Sequence, residues 1–513
     1  MIGPNRSQNG GTSRYLDQLV RGAAVNAVGL VGKVLDPVFL LVVTWLFGPA
    51  VVGLYLLALF LIEVAATLAT AGIVDATTVF GSRLSGNDDG ELETSDEVHQ
   101  VLGVAFGIAI VASLGTVAAA YLGADLLVTS LYPEMPELTP ALELFAWSIP
   151  LLAIARVSVA GTKARMRMEY DAAIFGVARP LLILVFGVLA WWLGAGLQGL
   201  IASFVVAHFL LALLGLGALS RHFELGRVCR SLGRFKRARE LLAFAIPQNL
   251  NMTVNRYLAR IDVIMLGALG HQAPELAFYG TAALIAGNLR QIRLIFGTAM
   301  VPVATRHHRD GDRAALQDIL TRLTRWTASI VIPVALVLVV IRGDILRLFH
   351  ETYTGDSTFM VALIGGALFG CVTGLAGNAL VSTRHTGWTL FNSVLVALVN
   401  TVLNLWLIPR FGLMGAALAT VVAITVISLL QMIELRALEA VSIDWRGVFQ
   451  PLAGLAVSAV ALGVLWDPAL QPTWQLRLLT AALTVIAFLC LMLVLKHEEL
   501  TKLVRRRLGV GAV

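Results

Sequence analysis

The sequence is poor in charge. Of its 513 residues only 14% are Asp, Glu, Lys or Arg, against 58% hydrophobic, and the mean hydropathy is +0.82. Too few polar side chains remain to cover a water-soluble globule, so the composition excludes one and specifies an all-α polytopic membrane protein. Cysteine is scarcer still. Cys229 lies in a basic loop, while Cys371 and Cys490 lie in separate apolar stretches, a spacing that supports neither a disulfide framework nor a metal site. A Gly-Lys-Ser/Thr phosphate loop for ATP is missing, so no cofactor is expected. Residues 1–18 are polar and lack the apolar core of a secretory signal, which predicts a cytoplasmic tail. The net charge of +6 sits in a few short loops, where it reads as a topology signal and not as a nucleic-acid surface.

What the sequence has is long apolar runs. A membrane span needs about 20 such residues, and on that measure about 14 are expected. They begin near Leu19, Val51, Val98, Leu138, Ala172, Leu197, Leu241, Leu276, Trp326, Phe359, Trp388, Leu413, Val448 and Leu476. Basic residues gather in alternate loops, Lys163 to Arg167, Arg221 to Arg239, Arg306 to Arg313 and Lys502 to Arg507, which predicts both termini inside. Gly196-Leu-Gln-Gly199 recurs as Gly412-Leu-Met-Gly415, and Asn26 and Lys33 are spaced as are Asn249 and Arg256. This repeat predicts two parallel six-helix halves, 19–219 and 241–438, joined by a basic connector, 220–240. Accessory helices 13 and 14 are expected in 439–496, and a basic cytoplasmic tail in 497–513.

Arg256, Arg260, Arg290 and Arg293 interrupt the seventh and eighth runs. An arginine at the centre of a membrane helix costs roughly 2.5 to 3.5 kcal/mol, so these side chains are expected to face water or an anion. Asn249, Thr253, Arg256 and Arg260 share one helical face. The first half offers Lys33, Asp36, Glu63 and Asp75 as a counterpart, and Asp36-Pro37 is expected to break the first helix and act as a hinge. Guanidinium forks bind phosphate oxygens bidentately and keep their charge, which points to an anionic head group. The competing reading is internal pairing of Arg256 and Arg260 with Glu63 or Asp262, and of Lys33 with Asp36. Arg156 and Arg179-Pro180 either line the wall of the first half or snorkel to a span end. Asn392, Asn400 and Asn404 read as helix-to-helix hydrogen bonding, and His307-His308 as solvated.

At the eleventh and twelfth runs the wording becomes specific. Asn404-Leu-Trp-Leu-Ile408-Pro409-Arg-Phe-Gly412-Leu-Met-Gly415-Ala416-Ala417-Leu-Ala419-Thr420 resembles the signature of polysaccharide-biosynthesis flippases, a branch of the multidrug/oligosaccharidyl-lipid/polysaccharide exporter superfamily. Phe47-Gly48-Pro49-Ala50, Gly53-Leu54-Tyr55 and Ala71-Gly72-Ile73 extend the resemblance, which covers nearly the whole length and matches the lipid II flippase branch in span number. It implies two six-helix lobes in a V around a central cavity, with the two C-terminal helices forming a groove for a lipid tail. It implies transport of an isoprenoid-(pyro)phosphate-linked oligosaccharide from the inner to the outer leaflet of the cell membrane. By position Lys33, Arg256, Arg260 and Arg290, with Arg293 beside them, take the cationic role, and Asp36, Glu63 and Asp262 are the candidates for Na+ or H+ coupling. The expected partners are the polyprenyl-linked saccharide, membrane lipid and, functionally, glycosyltransferases of the same route; a monomer without nucleic acid is the expected state.

Two other classes compete. A cation-coupled multidrug exporter of the same superfamily would favour an acidic cavity, which the arginines oppose. A membrane polymerase or ligase would need catalytic groups on a sizeable outer loop. Here the outer loops are short, and Asp344, Glu351, Asp356, Glu134 and Glu137 read as solvated, so no enzyme is expected.

Overall fold

The computed structural model describes residues 9–84, 96–232, 237–383, 386–443 and 445, with side chains from Leu35 onward. All regular structure among them is helical. The order is α1 (Asn9–Leu84), α2 (Asp96–Leu131), α3 (Leu138–Ala146), α4 (Ser148–Ala164), the single turn α5 (Glu169–Asp171), a π-helical stretch (Ala172–Ala178) and α6 (Arg179–Trp192). Then come α7 (Gly196–Ser220), α8 (Leu225–Arg230), α9 (Ala238–Leu258), α10 (Ile261–Ala268), α11 (Ala273–Arg309) and α12 (Arg313–Val340). The last are α13 (Arg342–Phe349), α14 (Thr358–Thr373), α15 (Leu375–Ser382) and α16 (Thr386–Glu439). Helix thus covers each of the first twelve expected runs; those from Val448 and Leu476 lie outside the described residues, as does Cys490.

Among the described residues eight stretches are long and apolar enough to cross a membrane, the longest being Leu35–Leu84 and Gly387–Glu439. These two are too long for single spans, and each changes direction at a glycine, Gly48 (φ 81) in α1 and Gly412 (φ 54) in α16. The expected break at Asp36-Pro37 is not found: helical geometry continues through Pro37, because a helix that bends can accommodate one missing hydrogen bond. The repeated Gly-Leu-x-Gly motif has a backbone meaning. Gly196 and Gly412 both take positive φ, 56° and 54°, at the entry to the following helical arm, a conformation that a Cβ opposes.

Many hydroxyls inside the apolar helices are satisfied locally. Thr44, Thr70, Thr77 and Ser113 each donate to the carbonyl four residues back, at 2.6–2.7 Å, as a medium without water requires. Large apolar side chains face outward, Leu122 being 86% and Leu126 72% exposed. Tyr121 and Trp147, hydrogen-bonded at 3.0 Å, and the exposed Trp191 and Trp192 suit an interfacial aromatic belt. The chain is a multi-pass membrane protein.

Two compact units divide the chain, Met1–Ala277 and Phe278–Val513. The sequence puts the boundary between halves at the basic connector; by packing, α9 and α10 go with the first unit. Small residues of α1 allow close approach, since a Cβ at Gly72 would overlap the Ala245 carbonyl of α9 and one at Gly53 the Ala273 carbonyl that opens α11. The core of the first unit runs through Tyr55, Phe145 and Phe204, with ring centroids 5.5 and 5.2 Å apart. In the second unit Tyr279 stacks on Phe359 at 5.5 Å, and Leu316, Leu320, Leu375 and Leu435 pack together at the other cluster.

Candidate functional site

The seventh expected span is not one helix. It breaks between Leu258 and Ile261, and Arg260, at the break, has left the helical region with φ −127°. The polar face predicted for it turns toward α1. Asn249 donates its amide to the Leu68 carbonyl at 2.5 Å, and Thr253 donates to Asn249 Oδ1 at 3.3 Å. Farther along, Arg260 Nε donates to Glu63 Oε2 at 3.0 Å while Arg256 Nη1 stands 3.8 Å from the same oxygen. The Arg260 guanidinium also lies over the Phe60 ring, 4.2 Å from its centroid. Internal pairing with Glu63 is therefore realised, by one carboxylate for two guanidiniums.

Two further arginines join this cluster. Arg179 on α6 and Arg156 on α4 lie close enough for their charges to act at Glu63, and on each other. Arg179 directly follows the π-helical stretch, where one extra residue per turn reorients the side chains that come after it. Beside them His208 is fully buried on α7; its Nδ1 is 2.7 Å from the Phe204 carbonyl, and its Nε2 has no partner among the described residues. Arg156 and Arg179 were legible as wall candidates, but nothing in the polarity pattern marks the π stretch that aims Arg179.

The other sequence candidates have surroundings of their own. Lys33 is in α1 with its side chain outside the described part; Asp36 is exposed; Asp262 is half-buried in the first turn of α10; Asp75 accepts from Gln248 at 3.3 Å. In the second unit Arg290 is exposed on α11. Arg293, one turn on, donates from Nη1 to the Gly374 carbonyl at 3.1 Å and to Asn378 Oδ1 at 3.2 Å, across the break between α14 and α15. Within the first unit Arg256 and Arg260 cluster with Glu63, and within the second Arg290 lies close enough for its charge to act on Arg293.

Of the asparagines read as helix-to-helix bonds, Asn392 does join two helical arms, its Nδ2 donating to both oxygens of Glu434 at 2.9 and 2.8 Å, whereas Asn404 Nδ2 donates within its own arm to Asn400 Oδ1 at 2.9 Å. His308 departs from the solvated reading: its Nδ1 lies 3.2 Å from the carboxylate of the buried Glu439 at the end of α16. Glu434 and Glu439 escaped notice because their partners are far away in sequence. No group of three or more His, Cys, Asp or Glu suited to a metal occurs among the described residues.

The sequence pattern of the polysaccharide biosynthesis protein family matches residues 42–351. The chain is 22% identical over 285 residues to the probable low-salt glycan biosynthesis flippase Agl15 of Haloferax volcanii, a match spanning 55% of this chain and 58% of that protein. In structure it is similar to the lipid II flippase MurJ in an inward closed conformation, with a TM-score of 0.73, 14% identity and coverage of 91% of this chain and 98% of the other. An inward-facing multidrug resistance transporter of the MATE family gives a TM-score of 0.61 at 13% identity, covering 80% and 94%. The fold is that of these membrane transporters.

Proposed function

Since the chain belongs to the polysaccharide biosynthesis protein family, we propose that it carries a saccharide linked to an isoprenoid phosphate or pyrophosphate from the inner to the outer leaflet of the cell membrane. The observation that carries this reading is the gathering of Arg256, Arg260, Arg179 and Arg156 near the carboxylate of Glu63. Burying a phosphorylated head group unpaired is prohibitive, whereas charged guanidiniums in a partly dehydrated site hold it strongly. The similarity to a protein named as a glycan biosynthesis flippase supports a sugar-bearing cargo. A cationic drug would meet the wrong sign of charge here, although the fold is shared with multidrug transporters.

In this scheme the isoprenoid tail stays in lipid while the head group exchanges water for arginines. The helix arms carrying Glu63 and Arg260 then separate and reclose on the other side, with Pro37 as a flexing point of α1. With the inside negative, each negative charge carried outward gains about 2.3 kcal/mol per 100 mV, so the potential itself favours export. Asp36, Glu63 and Asp262 remain the groups to test for Na+ or H+ coupling. Both termini lie in the cytoplasm, and the protein acts as a monomer.

Reconstitution into vesicles with a fluorescent polyprenyl-pyrophosphate-linked sugar tests the reading, with quenching of outer-leaflet label as readout. Arg260→Ala should lower the transport rate at least about tenfold, the effect of losing one charge-assisted hydrogen bond of about 1.5–3 kcal/mol. Arg260→Lys should recover little, because lysine lacks the planar fork and the stacking on Phe60. Normal transport by a well-expressed Arg256→Ala/Arg260→Ala double variant would rule the site out.

A further inference from the structure

Glu63 does more at this site than neutralise charge. Each guanidinium has five N–H donors, yet in this cluster only Arg260 Nε makes a hydrogen bond to the carboxylate, at 3.0 Å. Arg256 approaches the same oxygen at 3.8 Å, outside hydrogen-bond range. The two arginines thus hold far more donor capacity than their own acid fills. The group also stays within reach of solutes: the side chains of Arg256, Arg260 and Glu63 are 36%, 26% and 20% exposed. A bridge kept only for stability would be expected to use both carboxylate oxygens and the guanidinium fork.

We propose that Glu63 is an internal counter-anion, seated where a phosphate of the cargo binds and displaced from Arg256 and Arg260 when the cargo arrives. The proposal rests on the reading of this cluster as the head-group site and adds its regulation. A pyrophosphate brings more negative charge and more acceptor oxygens than one carboxylate, so it wins the exchange, and the arginines are already ordered and partly dehydrated when it does. Once the cargo has been carried across, Glu63 returns to Arg256 and Arg260 and displaces the head group. Without an internal anion, the four positive charges would retain phosphate after delivery; with it, affinity is lowered and release is fast. Glu63 is then a specificity-setting residue of the site, selecting anions that outcompete a carboxylate.

The test is binding of inorganic pyrophosphate to the full-length protein in nanodiscs of uncharged lipid, by calorimetry. Glu63→Gln keeps the shape and removes the charge, so it should bind at least about tenfold more tightly than the parent, a shift of about 1.4 kcal/mol. The same variant should transport lipid-linked sugar more slowly, since release becomes limiting. Adding Arg256→Ala to Glu63→Gln should abolish the gain. Should Glu63→Gln fail to fold, Glu63→Asp, which retracts the charge by one methylene, should show a smaller gain in the same direction. Unchanged or weaker binding by these variants, with binding by the parent still dependent on Arg256 and Arg260, overturns the counter-anion and leaves the head-group site standing. Pyrophosphate binding that ignores Arg256→Ala and Arg260→Ala overturns the site itself, and the counter-anion with it. An isoprenyl pyrophosphate should displace the bound pyrophosphate at lower concentration than free pyrophosphate does; equal potency would refute a lipid-borne cargo.

Discussion

The contact between α1 and α9 makes the sharpest quantitative prediction. Gly72 has no room for a side chain: an added Cβ would overlap the Ala245 carbonyl and lie 2.8 Å from Asn249 Cβ. Both neighbours belong to helix α9, whose backbone does not yield easily, so Gly72→Ala must spread the pair. Overpacking of this kind costs about 1–3 kcal/mol. If the transport cycle alternates between this packed arrangement and one with α1 and α9 apart, the penalty falls on the packed arrangement alone. The ratio of the two then shifts by roughly 5- to 150-fold toward the separated one. Spin labels at the exposed positions Leu68 and Leu250 report the separation by pulsed electron resonance. The parent should show a population at short distance that Gly72→Ala depletes in favour of longer ones. Gly115→Ala is the matched control, because nothing lies within 4 Å of the added methyl group there. An identical distance distribution in Gly72→Ala and the parent, at equal thermal stability, would refute the argument that this glycine sets the approach of the two helices.

Two more predictions concern the glycine repeat and pH. Gly412→Ala and Gly196→Ala should each lower the thermal unfolding temperature, by the equivalent of about 1–3 kcal/mol, because both residues sit at positive φ in a backbone conformation that alanine adopts only with strain; a shift no larger than that of Gly115→Ala would contradict this. Burial, helped by the Arg165 and Arg167 guanidiniums, holds the His222 imidazole below its ordinary range, so the folded protein takes up this proton later than the unfolded chain. Stability from this group is therefore complete above the ordinary pKa of about 6.5 and is lost as pH falls below it, toward the depressed folded value. His222→Gln should lose less unfolding temperature than the parent between pH 7 and 5, and parallel losses would sink the assignment.

Which features were legible in the sequence follows from how local their signal is. The helix positions follow from apolar runs, and the shared face of Asn249, Thr253, Arg256 and Arg260 follows from helical spacing; each is a property of neighbouring residues, and the structure reproduces both. The Gly-Leu-x-Gly repeat was visible as letters, while its cause, the matching positive φ of Gly196 and Gly412, needed coordinates. Long-range pairs are legible only as candidates. Glu63, 197 residues from Arg260, is one of two acids the sequence offers it, and the partner of Asn392, Glu434, faces it only because α16 folds back at Gly412. The π-helical stretch before Arg179 was hidden for a different reason, since a shift in backbone hydrogen bonding leaves the polarity pattern unchanged.

The internal repeat argues that the seventh segment belongs with the second half, as the first belongs with the first half. Its α9 arm also fits closely on α1, where Gly72 leaves room for the Ala245 carbonyl. The same segment carries Arg256 and Arg260, so the helix that docks on α1 is also the one that brings positive charge to Glu63. Docking and charge pairing are then one event. A substitution that weakens the glycine contact should loosen the arginine–glutamate contact too, and Gly72→Ala should raise pyrophosphate affinity in the same direction as Glu63→Gln, though by less. Coupling of this kind would let an arriving anion, by drawing Arg256 and Arg260 off Glu63, release α9 from α1 at the moment the site is filled.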